Sequence, residues 1–157
     1  MTDGEGTGWL GLLYLRPRDA AWRPQATRVC LPESWRSSWQ STKTTDINEV
    51  EAASAPVALA TWPELTDGLW IHFTDNSSAE AALAKGSSKA SGLNQIANYV
   101  WTTAADRRLY AWIDRVSTRD NPTDGLSRGR LDDFANDWEQ IEAVLPGLHF
   151  LEADAAP

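Results

Sequence analysis

Residues 47–62, Ile-Asn-Glu-Val-Glu-Ala-Ala-Ser-Ala-Pro-Val-Ala-Leu-Ala-Thr-Trp, constrain the fold more than any other stretch. At helical spacing Val50, Ala53, Val57 and Ala60 form one stripe, and Glu51, Ala55, Ala58 and Trp62 form the adjacent one. Two adjacent stripes suit a helix lying on a sheet. Asp46 is placed to cap its first turn. Pro56 falls in its second half, where proline removes a hydrogen bond and costs about 3 kcal/mol, so a kink or an early break is expected.

The sheet that such a helix needs is written on both sides of it. Residues 9–15, Trp-Leu-Gly-Leu-Leu-Tyr-Leu, read as a buried strand, residues 26–31 as another, and residues 69–74 as a central one. Leu109 to Val116 reads as a further strand. Ser77-Ser78-Ala79-Glu80 has the form of a capping box for a short helix ending at Gly86. Leu93, Ile96, Ala97, Val100 and Ala104 space a longer helix, and Leu131, Phe134, Trp138, Ile141 and Leu145 a last amphipathic one. Residues 33–45 are polar around Trp35 and Trp39 and take no assignment. The order β-β-α-β-α-α-β-α predicts an α/β fold, a mixed sheet flanked by helices. Its first strand is truncated, because only Met1 and Thr2 precede Asp3.

With 157 residues and nine Trp, the chain is long enough for one domain with a substantial core, assigned to residues 1–150, with 151–157 as a disordered tail. The one cysteine, Cys30, excludes an intramolecular disulfide framework and a Cys-rich zinc site, and reads as a core thiol suited to a reducing, intracellular compartment. No apolar run reaches a membrane span, and no signal-peptide layout opens the chain, so no membrane partner is expected. A net charge of −8 argues against a grip on nucleic acid by charge alone. The cations are unevenly spread: Arg107, Arg108, Arg115, Arg119, Arg128 and Arg130 fall close together.

Four acids stand in distinctive settings. Asp3 lies in Thr2-Asp3-Gly4, before an apolar run; Glu51 interrupts an alanine-rich helix; Asp75 ends a strand; Asp124, in Asn121-Pro122-Thr123-Asp124, precedes a helix. Carboxylates at strand ends and helix starts converge readily in an α/β fold. Converging carboxylates repel, and a hard divalent cation with phosphate oxygens is their usual guest.

These words resemble the RNase H domains of retroelement reverse transcriptases, especially those of Pao-like, tyrosine-recombinase-type and hepadnavirus-like polymerases. Thr2-Asp3-Gly4 followed by Gly8-Trp9-Leu10-Gly11 is similar to the first-strand motif. Ile47-Asn48-Glu49-Val50-Glu51 resembles I-N-x-x-E, Phe73-Thr74-Asp75-Asn76 the strand-end word, and Lys85-Gly86-Ser87 the K-G-x-S stretch. Asn121-Pro122-Thr123-Asp124-Gly125-Leu126-Ser127-Arg128-Gly129 resembles N-P-A-D-x-x-S-R-G. The likeness covers about residues 2–130. Any one word is weak; five in order on matching elements are fairly specific.

The resemblance implies a ribonuclease H-like fold and a metal-dependent endonuclease that hydrolyses the RNA strand of RNA/DNA hybrids. Asp3, Glu51, Asp75 and Asp124 would be the catalytic residues, holding two Mg²⁺ (or Mn²⁺) ions roughly 3.5–4 Å apart, one activating water and the other stabilising the leaving 3′ oxygen. Asn76, Lys85, Ser87, Asn121, Ser127 and Arg128 would contact the hybrid, and the RNA strand would be read through its 2′-hydroxyls. The adjoining reverse transcriptase domain of a parent polyprotein is the implied protein partner. A catalytically inactive remnant, kept as a nucleic-acid-binding or interaction module, is the alternative. The loop Ser117–Asp120 departs from many such domains in having no His, which bears on product release or metal handling rather than on the fold.

Each acid also has a plainer reading. Glu51 can be an exposed helix charge, Asp75 and Asp124 turn or capping residues, and Asp3 part of a terminal Asp-Gly turn. His72, on an alternating strand, reads as packed and hydrogen-bonded. The arginine stretch reads as a solvated face whose overlap with the last motif favours phosphate contact.

Overall fold

The computed structural model describes residues 2–4, 7–16, 23–40, 46–130 and 138–147, with residues 2, 3 and 40 as backbone only. It is a mixed α/β fold. Strands β1 (Thr2–Gly4), β2 (Trp9–Tyr14) and β3 (Gln25–Cys30) form an antiparallel meander, and the short β6 (Glu139–Gln140) joins β3 in parallel. Strands β4 (Leu69–Thr74) and β5 (Tyr110–Arg115) form a separate parallel pair, with β4 lying against β1. The helices are α1 (Glu33–Gln40), α2 (Ile47–Thr61), α3 (Ser77–Lys85), α4 (Ser91–Asp106) and the single-turn α5 (Asp124–Ser127).

The first strand is short but real: Thr2, Asp3 and Gly4 pair with Leu12, Gly11 and Leu10. Strand β2 carries packed helices, α2 and α5 both contacting it, which explains why its residues from Leu10 to Leu13 are all buried rather than alternating. Helix α2 is the hub. Every residue from Glu49 to Leu59 is buried, because α2 packs on β1, β2 and β4 as well as on α3 and α4. The two stripes were therefore an underestimate, and the small alanines let neighbours approach from all sides.

Pro56 lies inside α2 without ending it. Burial on every side outweighs the missing hydrogen bond. Asp46 occupies the N-cap position but makes no side-chain capping bond. Its buried carboxylate instead takes the Arg36 guanidinium, Nε to Oδ2 at 2.8 Å. Arg36 also donates to the Thr7 carbonyl at 3.1 Å, so it ties α1 to the β1–β2 turn and to the head of α2. The unassigned residues 33–40 thus form a helix because Trp35 and Trp39 are buried on one side of it. Asn76, not Ser77, caps α3: its Oδ1 accepts from the Ser78 and Ala79 amides, both at 2.9 Å.

Two further expectations fail for physical reasons. The last helix does not extend over residues 138–147. Ile141, Ala143 and Leu145 pack against the core while Glu142 and Val144 face outward, a period of two that suits the extended chain beside β3. Leu131 and Phe134 lie outside the described residues, as does the tail 151–157. Cys30 is exposed rather than a core thiol, because it is the last residue of β3 and sits on a cleft of about 590 Å³ with Trp9, Arg28 and Glu142. Strand β4 packs one face inward through Trp70, His72 and Thr74; the other face, with β5, leaves Leu69, Ile71, Tyr110 and Trp112 exposed. Among the described residues no helix is long and apolar enough to cross a membrane.

Candidate functional site

Strand β1 is where the motif-bearing elements meet. Helix α2, strand β4 and helix α5 all contact it. These carry Glu51, the approach to Asp75, and Asp124. Asp3 itself is the central residue of β1, opposite Gly11 of β2; its side chain lies outside the description.

The close approaches are made by glycines. A Cβ on Gly4 would lie 3.1 Å from Glu51 Cδ, so the Glu51 carboxyl group rests against β1 one residue from Asp3. A Cβ on Gly11 would meet Leu126 Cβ and the Ser127 amide nitrogen at 2.7 Å and the Thr123 carbonyl oxygen at 2.8 Å. Only a residue without a side chain lets the backbone of α5 settle on β2 there. The Gly residues of the first motif therefore position Glu51 and Asp124 about the strand that bears Asp3.

Glu51 is buried, which removes the reading of an exposed helix charge. Its carbonyl accepts the Ser54 hydroxyl at 2.5 Å, and Ser54 Oγ lies 3.4 Å from His72 Nε2. With the Ser54 proton committed to Glu51, His72 is the donor in that contact. Burial lowers the His72 pKa to about 3, so the ring is neutral near neutral pH, and it packs against Trp70 with centroids 5.3 Å apart. His72 is a packed, hydrogen-bonded histidine that fixes β4 against α2.

Asp75 is half-buried just beyond β4. Its neighbour Asn76 spends its carbonyl oxygen on the α3 cap and donates its amide to Asn48 Oδ1 at 3.1 Å. Asn48 is three residues before Glu51, on the same side of α2. The Asn48–Asn76 bond thereby fixes the Glu51 turn of α2 against the Asp75 corner. Asn48 was not singled out from the sequence, although the Asn of the I-N-x-x-E word was the available signal.

Asp124 opens α5. Its Oδ1 takes Arg128 Nη2 at 2.8 Å and its Oδ2 takes Arg130 Nη2 at 3.2 Å. Arg130, absent from the expected contacts, is thus as close to the site as Arg128. Asn121 is buried and its Oδ1 accepts from both the Thr123 amide (3.1 Å) and hydroxyl (2.6 Å), which builds the turn ahead of Asp124. Ser127 is fully buried; its hydroxyl donates to the Asp124 carbonyl and its own carbonyl accepts twice from Arg28. Among the six expected nucleic-acid contacts, Lys85, Ser87 and Arg128 are exposed, Asn76 is committed to its cap, and Asn121 and Ser127 face inward as scaffold.

Among the described residues no three His, Cys, Asp or Glu side chains stand close enough together to hold a metal ion. Glu51, Asp75 and Asp124 are gathered around one strand, but not into one coordination sphere. No family model, curated protein or solved structure matches the chain.

Proposed function

We propose that this chain is a ribonuclease H-like domain of a retroelement polymerase, hydrolysing the RNA strand of RNA/DNA hybrids with two Mg²⁺ or Mn²⁺ ions. One observation carries the reading: β1, which bears Asp3, is contacted by all three elements that bring Glu51, Asp75 and Asp124. In the fold that the motifs resemble, the first strand is central and positions the first carboxylate. Here β1 pairs with β2 at the edge of its sheet and faces β4 of the parallel pair without a ladder between them.

Asp3, Glu51, Asp75 and Asp124 supply hard oxygen donors, the right chemistry for such cations. Glu51, Asp75 and Asp124 stand too far apart to share one ion as placed, and would have to draw together around β1 to hold it. When bound, the ions supply an activated water and charge stabilisation at the leaving oxygen. The chain's own part is positional. Gly4 and Gly11 permit the approach of α2 and α5, the Asn48–Asn76 bond fixes the Glu51 and Asp75 corners, and the Asn121 turn sets Asp124. Lys85 and Ser87 are exposed where a hybrid could meet them, and Arg128 is exposed while paired with Asp124. With a net charge of −8, much of the grip falls to the adjoining reverse transcriptase domain of a parent polyprotein.

A second reading, an inactive module with the same fold, draws on the two arginines that already neutralise Asp124. Incubation with a labelled RNA/DNA hybrid and Mg²⁺ or Mn²⁺, beside Asp75→Asn, separates the two. Cleavage by the parent and none by the variant is expected. A folded parent that binds hybrid without cutting it selects the second reading, and cleavage unaffected by Asp75→Asn rejects the site.

A further inference from the structure

The segment Asp124-Gly125-Leu126-Ser127-Arg128-Gly129-Arg130 wraps two guanidinium groups around one carboxylate. Arg128 reaches Asp124 along the helix at i,i+4. Arg130 reaches it by another route. Gly129 adopts φ +79°, the left-handed conformation that glycine takes without strain. The Gly129 amide then bonds the Leu126 carbonyl, and the Arg130 amide bonds the Gly125 carbonyl at 2.8 Å. This closure folds residue 130 back over the start of a helix only one turn long.

The partners differ in freedom. Asp124 is anchored: its side chain is 20% exposed, and α5 is seated on Gly11 and held by Arg28. The arginine side chains are 57% and 59% exposed. Exposed ion pairs contribute little net stability, because solvent screens them and long side chains lose freedom in making them, so they break readily. Phosphate oxygens offer guanidinium groups the same charge and forked geometry as a carboxylate.

We propose that Arg128 and Arg130 are exchangeable counter-ions of Asp124: paired with it in the free protein, they transfer to backbone phosphates when a nucleic-acid hybrid binds, and so bare the carboxylate. The proposal rests on the nuclease reading for its ligand and gives that site a binding-coupled trigger. Asp124 stays and the arginines move, because the acid sits on a packed backbone and the guanidinium groups lie at the ends of long solvated chains.

The test is a thermodynamic cycle without metal. Fluorescence anisotropy of a short labelled RNA/DNA hybrid is measured in EDTA over a range of salt. The proteins are the parent, Asp124→Asn, the double variant Arg128→Ala/Arg130→Ala, and the triple combination. Asp124→Asn, by releasing two exposed ion pairs, tightens binding about three- to tenfold. The double alanine variant binds more weakly and lowers the slope of log affinity against log salt by about two. In that background Asp124→Asn brings less than half of its former gain. Arg128→Lys/Arg130→Lys, which keeps the charges, retains the slope and guards against a folding artefact.

An equal gain from Asp124→Asn with and without the arginines overturns the exchange, as does an unchanged salt slope or a parent that does not bind. Cleavage with Mg²⁺ reports separately. A cleaving parent with an additive cycle keeps the nuclease and rejects the exchange, whereas a non-additive cycle without cleavage does the reverse.

Discussion

Gly11 on β2 and Leu126 on α5 are packed so closely that a Cβ on Gly11 would lie 2.7 Å from that of Leu126. This contact seats the helix of Asp124 on the strand opposite Asp3. Nearby relief is scarce, because backbone atoms of Thr123 and Ser127 stand at similar distances.

Gly11→Ala therefore forces α5 off the sheet. Overpacking of this kind costs about 1–3 kcal/mol. Gly68→Ala is the control, since its nearest neighbour is 3.7 Å away, and it should change stability by less than about 0.5 kcal/mol. Urea unfolding of both variants checks the contrast. Equal effects would show that the α5 contact is not the constraint.

The Arg36–Asp46 pair is largely buried, with side-chain exposures of 15% and 4%. Its hydrogen bond to Asp46 raises the Arg36 pKa further. Asp46→Ala removes the nearest partner of Arg36, leaving the exposed Glu33 carboxylate at 3.8 Å and the Thr7 carbonyl, and should cost about 1–3 kcal/mol in chemical unfolding. Arg36→Met combined with Asp46→Leu should recover most of the loss, because neither charge is then left alone.

His72 makes stability depend on pH in a definite direction. Its pKa is about 3 in the folded chain, lowered by burial, against about 6.5 when unfolded. Between those values the unfolded chain binds the extra proton. The contribution is complete above about pH 6.5 and is lost as pH falls toward 3, by about 1.4 kcal/mol per unit. His72→Gln should flatten this part of the profile. A variant whose unfolding energy falls as steeply as the parent's below pH 6 would assign the dependence to other groups.

Asn76→Ala removes the α3 cap and the bond to Asn48 together. Loss of such a cap costs about 1 kcal/mol. Asn76→Asp keeps the capping oxygen but not the amide donor, and should retain most of the stability. Comparing thermal unfolding of the two variants separates the cap from the α2–α3 tie.

The motif words were legible because each is local. A glycine pair beside an acid, an acid after an apolar run and an Asn-Pro turn before a helix are determined within a few residues of chain. The α4 stripe was equally plain, and Leu93, Ile96, Ala97, Val100 and Ala104 are all buried as their spacing demands. Residues 138–147 were misread because spacings of three and four are also sampled by a segment whose inward positions alternate. Helix α1 was missed because it is polar apart from its two tryptophans.

By itself, the sequence determined the α/β class, most of the strands and longer helices, and the four acids with their local words. Only the tertiary structure decided that α2 is buried on every side, that Asn121 and Ser127 serve the turn, and that Arg128 and Arg130 share Asp124. The physical reason is range. Propensity and turn chemistry act within a few residues, whereas burial and ion pairing depend on which surfaces meet. Here that was set by two glycines, Gly4 and Gly11, whose missing side chains let α2 and α5 close on the strands beside Asp3.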